Sequence, residues 1–190
     1  MTDAAAPKTQ TLPLGVVLER RPGVTRWVEH AWHPVAVLPG AAPADWKLLR
    51  TAGETQEYHA ATLPLTLHRA DVEAYKVSLT MTPPAVFVVL RKSDGPQDVM
   101  VHAVTASAYE AQDYTDSGEE IVEPVAMPPG LVAWVRDFTD AHFHETPFIK
   151  RRRDKQRTDR SEPGIGDARI RQTADVYRAP GPQKPTTRTT

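Results

Sequence analysis

The chain has 190 residues, of which 40% are hydrophobic and 25% charged. No run approaches the roughly 18 apolar residues of a membrane-spanning helix, and no N-terminal apolar block has the length of a signal peptide, so we expect a cytoplasmic protein. The sequence contains no cysteine, which excludes disulfides, thiolate metal sites and a cysteine nucleophile.

Charge is divided unevenly along the chain. Residues 1–150 carry 12 Lys and Arg against 19 Asp and Glu, a net −7, whereas residues 151–190 carry 11 against 5, a net +6. The first eleven residues and the last forty contain few large apolar side chains, and such segments do not offset the entropy cost of ordering the backbone. We therefore predict a disordered leader over 1–11, a single globular domain over 12–150 and a basic disordered tail over 151–190.

Short apolar runs separated by turn signals predict β-strands along most of the domain. In residues 75–81, for example, Tyr75, Val77, Leu79 and Met81 alternate with polar residues, which is the period of a strand with one buried face. Seven strands are predicted, over residues 14–18, 32–38, 46–50, 58–68, 75–81, 85–90 and 99–104.

Two helices are predicted after these strands. Ser107 and Glu110 have the spacing of a capping box, and this short helix is expected to end before Gly118. The second helix starts at the two prolines 128–129. Its apolar stripe has helical spacing and consists of Leu131, Trp134, Val135, Phe138 and Ala141. We expect Trp134 to be largely buried against the sheet.

The predicted fold class is α+β, mainly β. The strands form a meander of about seven short antiparallel members, arranged as a sandwich or a partly open barrel. One short helix and a C-terminal amphipathic helix complete the domain, and the disordered tail follows.

Motifs for metal, nucleotide and serine-hydrolase chemistry are missing from the sequence. The seven histidines show no zinc-binding spacing, and neither a Gly-rich phosphate loop nor a nucleophile elbow occurs. We predict no metal, no cofactor and no assigned catalytic residue.

A long acidic stretch is the main candidate site. From Ser93 to Val135 the sequence has eight acidic residues and no Lys or Arg. Two tyrosines lie among the acids, and such a surface suits a basic protein partner, because aromatic rings give contact area and charge steers association. The candidate partner-binding residues are Tyr109, Glu110, Asp113, Tyr114, Asp116, Glu119, Glu120 and Glu123.

Three other interpretations stay open. The acids can be solvated surface residues, or Asp113, Glu119 or Glu120 can act with a nearby histidine in a small-molecule enzyme. The tail can bind anionic lipid or nucleic acid through a basic run, although aromatic residues for base stacking are missing from it, which disfavours specific nucleic-acid binding. That run consists of Lys150, Arg151, Arg152, Arg153, Lys155 and Arg157.

Several segments together resemble a proteobacterial family of unknown function, domain-of-unknown-function family 3305. They are PLGVVLERR at 13–21, WHPV at 32–35, HAATLPLTLHR at 59–69, ASAYEAQDY at 106–114 and SGEEIVEP at 117–124. The resemblance covers most of residues 12–150 and leaves out the tail. The genes of the family tend to neighbour those of molybdenum formate dehydrogenases, their chaperones and iron–sulfur proteins. The resemblance therefore implies a non-enzymatic accessory or adaptor protein for formate dehydrogenase assembly or maturation, with that enzyme or its maturation factors as partners.

Overall fold

The computed structural model of the chain describes residues 7–23 and 30–143. Its helices are α1 (Val72–Thr80), which follows a 3-10 turn (Arg69–Asp71), α2 (Ala108–Ser117) and α3 (Pro129–His142). Its strands are β1 (Thr9–Pro22), β2 (His30–Pro39), β3 (Asp45–Ala52), β4 (Thr55–His68), β5 (Ala85–Lys92), β6 (Val99–Thr105) and β7 (Ile121–Ala126).

The two predicted terminal segments are described only in small part. The basic tail and the first six residues of the leader lie outside the described residues. The last three residues of the predicted leader, from Thr9 onward, belong to β1. Among the helices that the structure describes, none is long and apolar enough to cross a membrane.

The strands form two antiparallel sheets, and the predicted α+β, mainly β class is confirmed. The larger sheet has the order β2-β1-β4-β3 and the smaller one the order β6-β5-β7, so the strand order is not that of a sequential meander. The sheets approach each other at their sides, β2 beside β7 and β4 beside β6. In the described residues no backbone ladder joins the two sheets across these approaches.

One hydrophobic core fills the space between the sheets. The strands supply alternate residues to it, as expected of strands with one face turned inward. These residues are Leu14, Val16 and Leu18 of β1, Leu65 and Leu67 of β4, and Val86, Val88 and Leu90 of β5. Leu131, Val135 and Phe138 of α3 join the same cluster, so the C-terminal helix packs on the sheets as predicted.

The strand predicted over 75–81 is wrong, because this segment lies in and just after helix α1. Val72, Tyr75 and Ser78 are buried at helical spacing, while Val77 is exposed. Tertiary contacts fix this choice: the Tyr75 ring meets that of Phe138 edge-on at 6.3 Å between centroids. The Ser78 hydroxyl also donates to the Ala106 carbonyl at 2.7 Å. Packing of this kind overrides an alternating pattern only four apolar residues long.

The seventh strand is β7, which lies between the two predicted helices. It pairs with β5 from Leu90↔Ile121 to Ala85↔Ala126. Its sequence is only six residues long and is interrupted by Glu123 and Pro124, so the strand pattern is weak there. Pro124 fits because β7 is the last strand of its sheet, where one side of the backbone needs no ladder partner.

The apolar stripe of α3 is buried only in part as predicted. Leu131, Val135 and Phe138 are buried, Trp134 is partly buried and packs against the core cluster, and Ala141 is exposed. His142 takes the place at the end of the stripe. Its ring lies 4.6 Å from that of Phe138, and its Nε2 lies 2.9 Å from the Pro7 carbonyl oxygen.

Candidate functional site

Helix α2 positions the acidic candidates. Ser107 caps it by accepting a hydrogen bond from the Glu110 amide at 3.2 Å, and Gly118 ends it with a φ of +70°, which a residue with a side chain rarely adopts. The helix contacts all three strands of the smaller sheet and buries Ala111 against them. Asp113 and Asp116 of this helix are exposed to solvent.

Three of the predicted acids make contacts within the fold. Glu110 accepts a hydrogen bond from the Thr105 hydroxyl at 2.6 Å. This bond stands in place of the one that the Glu side chain of a capping box makes with the backbone N–H of the N-cap residue. Glu120, with a side chain only 4% exposed, binds both Ser117 and Arg91. Glu123 lies 3.1 Å from the Nδ1 atom of His33 on β2. These three carboxylates stabilise local structure.

The hydrogen bond from Ser117 and the ion pair with Arg91 lower the pKa of Glu120 below its ordinary value. A carboxyl group with a lowered pKa stays ionised near neutral pH, which suits an ion pair better than proton donation. Arg91 lies on β5, and sequence analysis missed it as a member of this region. The pairing of Arg91 with Glu120 could have been predicted only from the β5–β7 register, which places Leu90 opposite Ile121 and so brings Arg91 close to Glu120.

The other predicted residues lie at the surface. Tyr109 is 56% exposed, and Asp113, Asp116 and Glu119 are exposed. We call these four residues the acidic surface. Of their carboxylates, Asp116 accepts a hydrogen bond from Gln112 at 2.7 Å. Tyr114 is half-buried instead, with its ring edge-on to that of His102 at 5.9 Å. The structure therefore divides the predicted set into outward-facing and structural members.

A second feature is a cavity of about 500 Å³ beside β2, where the two sheets meet. We call it the seam pocket. Ala31, Trp32, Leu90, Val99 and Ile121 form apolar walls, and the polar lining residues are His30, His33, Lys92, Asp98 and Glu123. Sequence analysis missed this pocket, because its walls come from four strands that are far apart in the chain.

Aromatic residues support one wall of the seam pocket. The Trp32 ring packs against Trp46 at 4.8 Å and against Tyr58 at 5.6 Å between centroids. The indole Nε1 of Trp32 is buried without a hydrogen-bond partner among the described residues. Trp46 has a φ of +45°, a left-handed conformation that costs free energy for a residue with a large side chain. The surrounding packing therefore holds this cluster in place.

Metal binding finds no support in the part of the chain that the structure describes. Within residues 7–23 and 30–143, no three His, Asp or Glu side chains converge in a way that would hold an ion. His33 and Glu123 form a pair without a third ligand, whereas protein zinc sites use three or four ligands.

The chain matches a family of known proteins. A family model described as "Protein of unknown function (DUF3305)" matches residues 13–152. No curated protein and no solved structure matches the chain.

Proposed function

We propose that this chain, which belongs to the DUF3305 family of proteins of unknown function, is a non-enzymatic cytoplasmic accessory or adaptor protein. It binds a protein partner through the acidic surface. The observation that carries this proposal is the exposure of Tyr109 beside Asp113, Asp116 and Glu119 on and just after one short helix.

The contacts around α2 support a surface with a net negative field. Arg91 is the basic side chain that the structure brings to this region, and it pairs with Glu120. Asp113 and Glu119 have no basic partner among the described residues. Tyr109 adds an exposed ring with a polar tip, a residue type enriched in protein interfaces. A partner with a basic patch would meet both complementary charge and contact area.

The identity of the partner is the finer part of the proposal. We infer that it is a molybdenum formate dehydrogenase or one of its maturation factors in a proteobacterial cell. This inference rests on the gene neighbourhood that the family resemblance implies. An acidic adaptor is compatible with such a role, since charge complementarity speeds the encounter of two proteins.

Affinity capture from native lysate, followed by mass spectrometry, tests this proposal. Wild-type chain is expected to recover formate dehydrogenase subunits or their maturation factors, and the double variant Asp113→Lys with Glu119→Lys is expected to lose them. The matched control is Asp137→Lys with Asp140→Lys, which reverses two exposed acids on α3. Equal recovery by wild type and both double variants would show that the acidic surface does not bind the partner.

A further inference from the structure

We propose that the seam pocket binds a small, mainly apolar, uncharged molecule that carries one hydroxyl group directed at His33. This site shares no residue with the acidic surface, and ligand binding there would be a function separate from partner binding. Its volume of about 500 Å³ lies within the roughly 300–1,000 Å³ of ligand pockets in proteins.

The pocket exists because the two sheets meet without a backbone ladder. Within the described residues, β2 pairs only with β1, and β7 pairs only with β5. Each strand therefore has a free edge toward the other, and the apolar side chains Leu90, Val99 and Ile121 line the space between them. Ile121 is 51% exposed, so a bound molecule would remove apolar surface from water, which is the main source of affinity in such pockets.

A peptide strand is a poorer occupant than a small molecule. To pair with both free edges, a strand would need β2 and β7 to lie about 10 Å apart, twice the usual spacing of neighbouring strands. Parts of β2 and β7 instead have their Cα atoms within 8 Å of each other. The His33–Glu123 contact at 3.1 Å also joins the two strands directly.

The His33–Glu123 pair defines the polar end of the site. A Glu123 carboxylate oxygen lies 3.1 Å from His33 Nδ1, and in a neutral imidazole this contact favours the tautomer with the proton on Nδ1 and the lone pair on Nε2. The His33 side chain is 44% exposed, which leaves Nε2 accessible to a ligand. The lone pair accepts a hydrogen bond from a hydroxyl donor, so the His33–Glu123 pair selects a ligand with a hydroxyl group.

The remaining charged groups favour an uncharged ligand. Lys92 and Asp98 lie on the same lining with opposite charge. A ligand with a net charge would be attracted by one of these side chains and repelled by the other. The apolar wall next to Trp32 suits a flat ring, because edge-on contacts with Trp46 and Tyr58 hold the indole in place.

Two probes of similar size test this site: 2-naphthol, which carries a hydroxyl donor, and 2-methylnaphthalene, which does not. Each is titrated into full-length chain while backbone amide shifts are followed by NMR. We expect both probes to shift the amides of Ala31, Val99 and Ile121. The 2-naphthol is expected to bind about threefold to tenfold more tightly, the effect of one net hydrogen bond.

Variants distinguish the contribution of the apolar walls to binding from that of the polar end. Ile121→Trp places a larger side chain in the seam pocket from a half-exposed position and should abolish binding of both probes. Met100→Trp, at an exposed site outside the pocket, is the control and should leave binding unchanged. His33→Phe should remove the preference for 2-naphthol and keep 2-methylnaphthalene binding. His33→Gln, which retains an acceptor, should restore part of that preference. Shifts that are absent, or that fall outside the pocket and survive Ile121→Trp, would overturn the proposal.

Discussion

The backbone N–H of His68 donates a 2.8 Å hydrogen bond to the phenolic oxygen of Tyr75. This bond joins the end of β4 to helix α1, across the turn that connects them. Tyr75 is only 1% exposed, so its hydroxyl gives the strand end a partner that water does not replace. The contact holds α1 against the sheet at the segment where the sequence pattern favours a strand.

Replacing Tyr75 with Phe tests that contact. We expect Tyr75→Phe to lower the free energy of unfolding by about 0.5–1.5 kcal/mol, because the His68 N–H loses its acceptor at a partly buried site. Urea denaturation followed by circular dichroism measures the change. Tyr109→Phe, at an exposed site, is the control and should unfold like wild type. An unchanged midpoint for Tyr75→Phe would mean that the bond does not stabilise the fold.

The same tyrosine predicts a loss of stability in alkali. Burial raises the pKa of Tyr75 to about 12, although the hydrogen bond from His68 acts in the opposite direction. The unfolded chain releases this proton near the ordinary value of 10.0. Stability from this group is therefore complete below pH 10 and declines between pH 10 and 12, by about 1.4 kcal/mol per pH unit at most. Thermal unfolding of wild type should show a steeper alkaline decline than Tyr75→Phe, and parallel profiles would contradict the assignment.

The C-terminal helix predicts an order of stability among its aromatic residues. Phe138 is 2% exposed in the core, and Phe138→Ala should cost about 3–5 kcal/mol. Trp134 is half-buried, so Trp134→Ala should cost clearly less despite the larger side chain. Denaturant midpoints of the two variants decide the order, and an equal or larger loss for Trp134→Ala would contradict the packing described here.

Gly15 on β1 marks a close approach between neighbouring strands. A Cβ atom placed there would lie 2.5 Å from His59 Nε2 and 2.9 Å from Ala41 Cβ. His59 Nε2 is also hydrogen-bonded to the Thr62 hydroxyl at 2.9 Å, so the ring does not move away freely. We expect Gly15→Ala to cost about 1–3 kcal/mol. A Cβ atom at Gly130 would have no atom within 4 Å, so Gly130→Ala should leave stability unchanged or raise it slightly. Melting temperatures of the two variants, measured side by side, test this difference.

The ion pair between Arg91 and Glu120 predicts a dependence on acid. Ser117 and Arg91 lower the pKa of Glu120 in the folded chain, while the unfolded chain has the ordinary value of 4.5. Stability from this group is present above pH 4.5 and lost as pH falls through the lower folded pKa. The melting temperature of Glu120→Gln should therefore fall less steeply below pH 4.5 than that of wild type. Glu73→Gln, an exposed acid on α1, should follow wild type, and a wild-type slope for Glu120→Gln would rule out the effect.

The acidic surface predicts a graded response to charge. Since a long-range field is proposed, Asp113→Asn with Glu119→Gln should slow association with the captured partner less than reversal of both charges to Lys. Association rates measured at two ionic strengths should also become less salt-dependent as charge is removed. If the neutral variants abolish function as completely as reversal does, proton transfer by these carboxylates becomes the better explanation.

Local patterns predicted the parts of this fold that local chemistry determines. The Ser107 cap and the Gly118 stop of α2, and the buried positions Leu131, Val135 and Phe138 of α3, depend on residues within a few positions of each other, and all of them occur in the structure. Helix α1 depends on Phe138 and Ala106, which lie far along the chain. No window around residue 75 contains them.

The candidate site shows the same division. The exposed acids of α2 follow from the cap and the helical repeat, whereas the roles of Glu120 and Glu123 depend on partners from other strands. His33 and Glu123 are 90 residues apart in the chain, so their pairing requires the strand order. The seam pocket requires that order as well, because its walls come from β2, β5, β6 and β7.

The junction of β2 and β7 also has a mechanical consequence. Throughout the described residues, no backbone hydrogen bond crosses it, so sliding one sheet along the other breaks side-chain contacts and leaves both ladders intact. The His33–Glu123 bond is the polar contact that resists such shear. Along this junction the two sheets are therefore joined by side chains rather than by backbone hydrogen bonds.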